Sequence, residues 1–284
     1  MIRRPFVVGR RGWVLIVLLL LGLLAFDRLG LTAANVVPGE GGLELAGRFF
    51  GAALQPAFEH ETDWVPPGTP HLLVKVLEAT FRTLLFAAAG MSLALLLGLP
   101  LGLLASDITW DRLGFGGGRL RRVAPLIQVK ARVLIALMRS VHELLWAVIF
   151  LAAIGLNTFA AVITLAIPYG GTLAKVFSEM LDEAPRNTRE AFCGLGASPA
   201  AAILVGLLPR ALPDMAAYAF YRFECCVRSS AVLGFFGYET LGYSMRLAFE
   251  DGAYRTVWSY LYAMIGLVLV LEAWSGAVRR RLTT

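Results

Sequence analysis

Six stretches of this chain are long and mostly apolar, and that pattern limits the fold more than any other feature of the sequence. They run from Gly12 to Phe26, Thr80 to Ala105, about Met138 to Leu156, Thr158 to Met180, about Ala211 to Phe236 and Thr256 to Val278. A helix crossing a bilayer needs roughly 20 apolar residues, and a helix satisfies all of its backbone groups internally where no water is available. Charged residues make up only 16% of the chain and hydrophobic ones 58%, against about a quarter charged in a soluble domain. An ordinary soluble enzyme and a nucleic-acid-binding protein are both excluded. The expectation is an all-α, polytopic membrane protein with about six transmembrane helices. With 284 residues so used, no separate soluble domain fits, and any energy source must come from a partner chain.

Charge asymmetry orients the spans. Arg3, Arg4, Arg10 and Arg11 precede the first run. The small residues Thr32-Ala33-Ala34 would suit a cleaved signal, but further spans follow, so residues 1–31 read as an uncleaved first transmembrane helix. Residues 32–79 read as an external loop. Between Leu31 and Glu78 six acidic residues (Glu40, Glu44, Glu59, Glu61, Asp63, Glu78) face Arg48 and Lys75, with Pro38, Pro56, Pro66, Pro67 and Pro70 as breakers. From Ser106 to Arg139 the balance reverses: Arg112, Arg119, Arg121, Arg122, Lys130, Arg132 and Arg139 oppose Asp107 and Asp111. The positive-inside rule makes this loop cytoplasmic. Gly114 to Gly118 makes it flexible, and Val123 to Met138 reads as a basic amphipathic helix on the membrane surface. The 181–210 segment and the terminal Arg279-Arg280-Arg281 then also fall inside, as does the N-terminus. Within the second run, Gly98 and Gly102 form a small-xxx-small pair suited to close helix contact.

Catalytic and metal chemistry have little to stand on. Cys193, Cys225 and Cys226 make no disulfide framework and read as small apolar residues. His60, His71 and His142 lack zinc-site spacing. No phosphate-cradling Gly-Lys-Ser/Thr loop is present, so the chain does not itself hydrolyse ATP. Ser198 has no histidine partner. His142-Glu143 could handle a proton, but helical neighbours point about 100° apart, and a polar entry to the third span is the simpler reading.

The 181–210 segment reads as two short helices broken at Gly194–Gly196, with Ser198-Pro199 as an N-cap followed by a first-turn proline. Such an element suits docking on a soluble partner, or is an ordinary re-entry loop. Glu190-Ala191, Gly196 six residues after the glutamate, and Leu208-Pro209 with the proline thirteen further on resemble the EAA loop of ABC importer permeases. Phe192 stands where that family has a second alanine, and Gly206 where it often has isoleucine. Further on, Leu208 to Pro213, Tyr221-Arg222-Phe223-Glu224 and Val227-Arg228-Ser229-Ser230-Ala231-Val232-Leu233-Gly234 resemble the phosphonate-type branch, with similarity running from about Thr80 and including Arg139, Glu143 and Trp146. His142 replaces an expected proline, and Tyr238 to Gly242 replaces a glycine-rich turn.

Arg222, Glu224 and Arg228 lie within the fifth span, where an ionisable group costs a few kcal/mol or more unless it faces a partner or water. Glu224 and Arg228 are four apart with the acid first, the favoured order for a helical ion pair. The three make either a structural pair plus one arginine snorkelling to the interface, or a translocation pathway eased for anions.

The resemblance implies the transmembrane domain of a type I importer over residues 80–284, taking up phosphonate or a similar small phosphorus oxyanion by alternating access. Phosphite or phosphate is the alternative, and a gradient-driven secondary transporter the less favoured one. It implies a coupling role for Glu190, Ala191, Gly194, Gly196, Leu208 and Pro209. It also implies an ATP-binding subunit, a periplasmic binding protein and a second permease copy, all at a bacterial inner membrane. No cofactor is expected on this chain, with Mg-ATP on the partner.

Overall fold

The computed structural model describes residues 10–31, 39, 41–61, 68–111 and 122–282, and among these there is helix and turn but no strand. Arg3-Arg4, Thr32 to Ala34, Glu40, Asp63, and the stretch holding Arg112, Gly114 to Gly118, Arg119 and Arg121 lie outside the described residues.

The chain divides into two compact units, residues 1–54 and 55–284. In the first, α1 (Arg10–Arg28) carries the apolar run from Gly12 to Phe26. Its 19 residues span roughly 28 Å at 1.5 Å per residue, and its large apolar side chains from Trp13 to Phe26 are exposed. A short helix, α2 (Gly42–Ala52), follows.

The second unit is a helical bundle. Its elements are α3 (Leu72–Ala105), α4 (Asp107–Trp110), α5 (Ala124–Ser140), α6 (Glu143–Ile154), α7 (Thr158–Glu183), α8 (Arg186–Gly194), α9 (Pro199–Ala201), a π-helical segment (Ala202–Leu207), α10 (Leu208–Val232), α11 (Leu241–Glu250) and α12 (Tyr254–Leu282). Among the described residues, four stretches are long and apolar enough to cross a membrane: Leu72–Ala105, Thr158–Glu183, Pro199–Phe236 and Tyr254–Arg281. Helix α7 is the central one, with Leu165, Leu173, Phe177 and Leu181 fully enclosed.

Helices α3 and α7 approach at backbone distance because glycine and alanine line their seam. A β-carbon built on Gly98 would lie 3.0 Å from Leu173 Cβ and 3.1 Å from the Gly170 carbonyl; one on Gly102 would lie 3.1 Å from the Ala174 carbonyl. The paired small residues thus act as the sequence suggests. Gly98→Val should cost about 1–3 kcal/mol through overpacking, measured as a lower melting temperature of the detergent-solubilised protein.

The third apolar run differs from expectation. It is not one helix from 138 to 156, and the helix expected over Val123 to Met138 forms but packs one of its faces on the bundle. Helix α5 buries Ala124, Ala131, Ile135 and Met138, with Ala131 and Ile135 packed against Ala105 and Ala174. Helix α6 leaves it at 91°, so the two together form a fifth, broken span or a re-entrant segment. The break falls at Val141-His142, both extended, and His142 Nδ1 accepts the Leu144 amide at 3.3 Å to start α6. His71 caps α3 in the same way through the Leu73 amide, and Asn157 caps α7 through Phe159. Helix α3 also begins earlier than the hydropathy suggests, because Leu72, Val76 and Ala79 pack with Ala57, Leu241 and Tyr260.

Candidate functional site

Two sites can be built from these elements. The first is the 181–210 segment. After α7 ends, Pro185 precedes the nine residues of α8, whose neighbours Arg189 and Glu190 face opposite ways. Arg189 is 1% exposed, whereas Glu190 points outward. The outward face continues through Ala191, Gly194, Leu195 and Gly196, with Leu195 at 86% exposure. Gly196 has φ +84°, a left-handed conformation that only glycine adopts without strain. It lets the chain reverse so that the Ala197 amide reaches the Phe192 carbonyl at 3.0 Å. Ser198 then caps α9, accepting the Ala201 amide at 3.3 Å. Leu208 is half-buried and Pro209 exposed at the start of α10. The six residues singled out from sequence therefore fall into an exposed patch on α8 and its turn, and a separate pair at the foot of α10.

The second site is polar and lies at membrane depth, between α6, α7 and α10. The Tyr169 hydroxyl is 2.9 Å from Ser229 Oγ, which donates to Glu143 Oε1 at 2.7 Å. His142 Nε2 lies 3.5 Å from Glu143 Oε2. These neighbours do meet, contrary to the helical expectation, because the chain is extended at His142 and helical only from Glu143. Above the Tyr169 ring sits the Arg222 guanidinium, 5.0 Å from the centroid. Arg222 makes no hydrogen bond or ion pair with any described residue, and its Nε is buried without a partner.

The structure does not bring Arg222, Glu224 and Arg228 together. Glu224 is buried and faces Arg279 of α12 at 3.9 Å. The expected Glu224–Arg228 pair is absent among the described residues; Arg228 is exposed, with Nη2 3.3 Å from Cys225 Sγ. Tertiary packing overrides the i,i+4 rule here, since burying Glu224 against α12 makes Arg279 the nearer cation. Cys226, by contrast, packs in the core as a small residue, its thiol 3.6 Å from the Ala87 carbonyl.

Residues 98–284, well over half of the chain, match the family model of the binding-protein-dependent transport system inner membrane component. The chain belongs to this family. It is a transport subunit, not an enzyme. The permease is 28% identical over 239 residues to the phosphite transport system permease protein PtxC of Stutzerimonas stutzeri, covering 84% of this chain and 78% of that one. To the phosphate-import permease protein PhnE of Mycolicibacterium smegmatis it is 29% identical over 199 residues, which is 70% of this chain and 35% of the relative. The bundle also matches an inward-facing structure of the MetNI methionine ABC transporter, with a TM-score of 0.64 and 20% identity, over 78% of this chain and all of that one. That last likeness is one of fold.

Two departures of the permease from the EAA pattern explain each other. A β-carbon on Gly206 would lie 3.1 Å from Phe192 Cδ2. The large ring at 192 occupies the room that a side chain at 206 would take, so a small-to-large change on α8 is matched by a large-to-small one in the π-helical segment. Volume is conserved, as a packed interior requires. Arg189 was not legible from sequence. An arginine in a polar loop reads as solvated, and no spacing rule links it to residues 108 and 111.

Proposed function

We propose that this permease is the membrane-spanning subunit of an ATP-driven importer for a small phosphorus oxyanion of the phosphite or phosphonate class. The observation that carries the substrate class is Arg222, a guanidinium inside a spanning stretch with no ion-pair or hydrogen-bond partner among the described residues, its Nε buried without one. Such a group is costly in the membrane unless it faces water or a transported anion. Similarity to a phosphite and a phosphate permease supports the same class. Arg228, exposed and six residues further along α10, lies about 120° around the helix from Arg222, so the pathway role falls to Arg222, while Glu224 faces Arg279. A second copy of the chain would complete the pathway, and α1 would add a sixth span, with both termini in the cytoplasm.

ATP would be hydrolysed on a separate subunit seated on the outward face of α8. Alternating access follows if closure of that subunit drives α8 against the bundle. At the opposite end, a cavity of about 500 Å³ lined by Lys75, Arg82, Glu78, Glu239 and Asp251 would face the periplasm and the binding protein. Its rim is held by Arg82, which pairs with Glu78 and with Glu239.

Glu190→Lys should reduce ATP-dependent uptake at least about 10-fold, the scale of one interface hot spot. The protein's membrane level should hold, because the side chain is exposed. Uptake assays with immunodetection of the permease check this. The substrate class is tested by uptake of labelled 2-aminoethylphosphonate in cells with and without this chain, with unlabelled phosphite and phosphate as competitors. Loss of uptake in the deletion, with competition by one of these anions, is the expected result. Labelled phosphite and phosphate are then tested in the same pair of cells, and uptake of all three unchanged by the deletion would overturn the substrate class.

A further inference from the structure

The short segment from Ala105 to Asp111 exchanges hydrogen bonds with three different helices. From α5, Arg132 Nε and Gln128 Nε2 donate to the Ala105 carbonyl at 3.0 and 3.3 Å, and both side chains also reach Asp107 Oδ1, at 2.9 and 2.7 Å. From the end of α7, Asp182 Oδ1 accepts the Ser106 hydroxyl at 2.6 Å and the Ile108 amide at 3.0 Å. From α8, Arg189 Nη1 donates to the Ile108 carbonyl at 2.8 Å, and its Nη2 pairs with Asp111 Oδ2 at 2.8 Å. Ile108 is therefore gripped at both backbone groups, by Asp182 on one side and Arg189 on the other.

Arg189 is the only one of these contacts that comes from α8. It is 1% exposed, so it takes no part in the outward face to which its neighbour Glu190 belongs. A fully desolvated guanidinium loses several kcal/mol of hydration and is kept only where its partners hold it in place. Its bonds are charge-assisted, the strong kind. We propose that Arg189 is a positioning residue that latches α8 to the 105–111 segment, so that a push on α8 is delivered at once to the ends of α3, α5 and α7. Without the latch, α8 is joined to the bundle through its flanking turns, the packing of Phe192 and a hydrogen bond from Arg210 of α10 to Thr188, none of which reaches the 105–111 segment, and a push on it tilts α8 locally. The inference rests on the reading of α8 as the ATPase docking element.

The test uses the whole complex, permease with its ATPase subunit and binding protein, in proteoliposomes. The readout is the number of anions imported per ATP hydrolysed. Damage confined to folding lowers both rates in step and leaves that ratio unchanged. Arg189→Met should lower the ratio roughly 10-fold, the scale of losing a charged hydrogen-bonded pair, and Arg189→Lys should recover part of it. Asp111→Asn, at a partly exposed carboxylate, should lower it by a few fold. It decides the matter if Arg189→Met fails to assemble. An unchanged ratio in Asp111→Asn together with Arg189→Met, or in Asp111→Asn alone where Arg189→Met gives no complex, would overturn the latch while leaving the importer reading intact. Absence of ATP-dependent import by the unmodified complex would overturn both.

Discussion

Replacing Arg222 by glutamine is expected to slow oxyanion uptake by about 10- to 100-fold. The guanidinium lies over the Tyr169 ring at 5.0 Å and has no hydrogen-bond or ion-pair partner among the described residues, so in the proposed pathway its charge would be available to a passing anion. Two unit charges about 5 Å apart attract by about 3 kcal/mol at an effective dielectric near 20, roughly 100-fold in a rate. Glutamine keeps much of the length and loses the charge. Lysine keeps the charge but loses the flat stacking on tyrosine, so Arg222→Lys should fall by only a few fold. Initial uptake rates at matched membrane levels distinguish the cases. A glutamine variant as fast as the unmodified protein would make Arg222 a packing residue.

Gly234→Ala and Gly242→Ala are expected to leave almost no folded permease in the membrane. These glycines lie where α10 gives way to α11, and the turn between them is threaded against α3. A β-carbon on Gly234 would overlap the Tyr243 backbone nitrogen and approach Thr240 Oγ1 to 2.7 Å; one on Gly242 would overlap the Ala231 carbonyl. The obstacles are backbone atoms, which cannot rotate away. Side-chain bonds hold the turn in register. Thr240 Oγ1 donates to the Ala231 carbonyl at 3.0 Å, the Leu241 amide donates to Thr83 Oγ1 at 2.9 Å, and Ser230 Oγ donates to the Thr83 carbonyl at 2.9 Å. Opening this corner would break several buried hydrogen bonds at once, each costing about 1–3 kcal/mol when left unmade. Gly252→Ala is the control. Its φ of +72° makes alanine strained, but nothing lies within 4 Å, so the cost should stay near 1 kcal/mol. Membrane abundance and thermal stability of the three variants check the contrast. A normal level of Gly234→Ala would contradict the described corner.

Hydropathy sufficed for the helical class and the central spans, and the spacing of Gly98 and Gly102 marked a close helix contact, though not that its partner is α7. Hydropathy did not reveal the break at Val141-His142: the polar stretch Arg139-Ser140-Val141-His142-Glu143 reads equally well as a polar entry to one span, and neither glycine nor proline marks a bend. The break is made by a histidine side chain capping the next helix, a role that a lone histidine does not advertise. In the polar regions, sequence separated exposed from buried poorly. Glu190 and Arg189 are adjacent and both charged, yet one faces out and the other is enclosed by contacts 78 and 81 residues away. The partner of Glu224 could not be read from helical spacing either, since Arg279 reaches it from α12. By contrast, Gly196 as the turn behind α8 followed directly from the sequence, because a conformation restricted to glycine leaves a mark in it.

Import by this permease is proposed to be driven by ATP on a partner subunit. The direct measurement is accumulation of labelled oxyanion in proteoliposomes holding the permease, its ATPase subunit and its binding protein, with and without ATP and with and without a protonophore. Accumulation that requires ATP and survives collapse of the ion gradient is the expected result. Accumulation that proceeds without ATP and stops with the protonophore would contradict it.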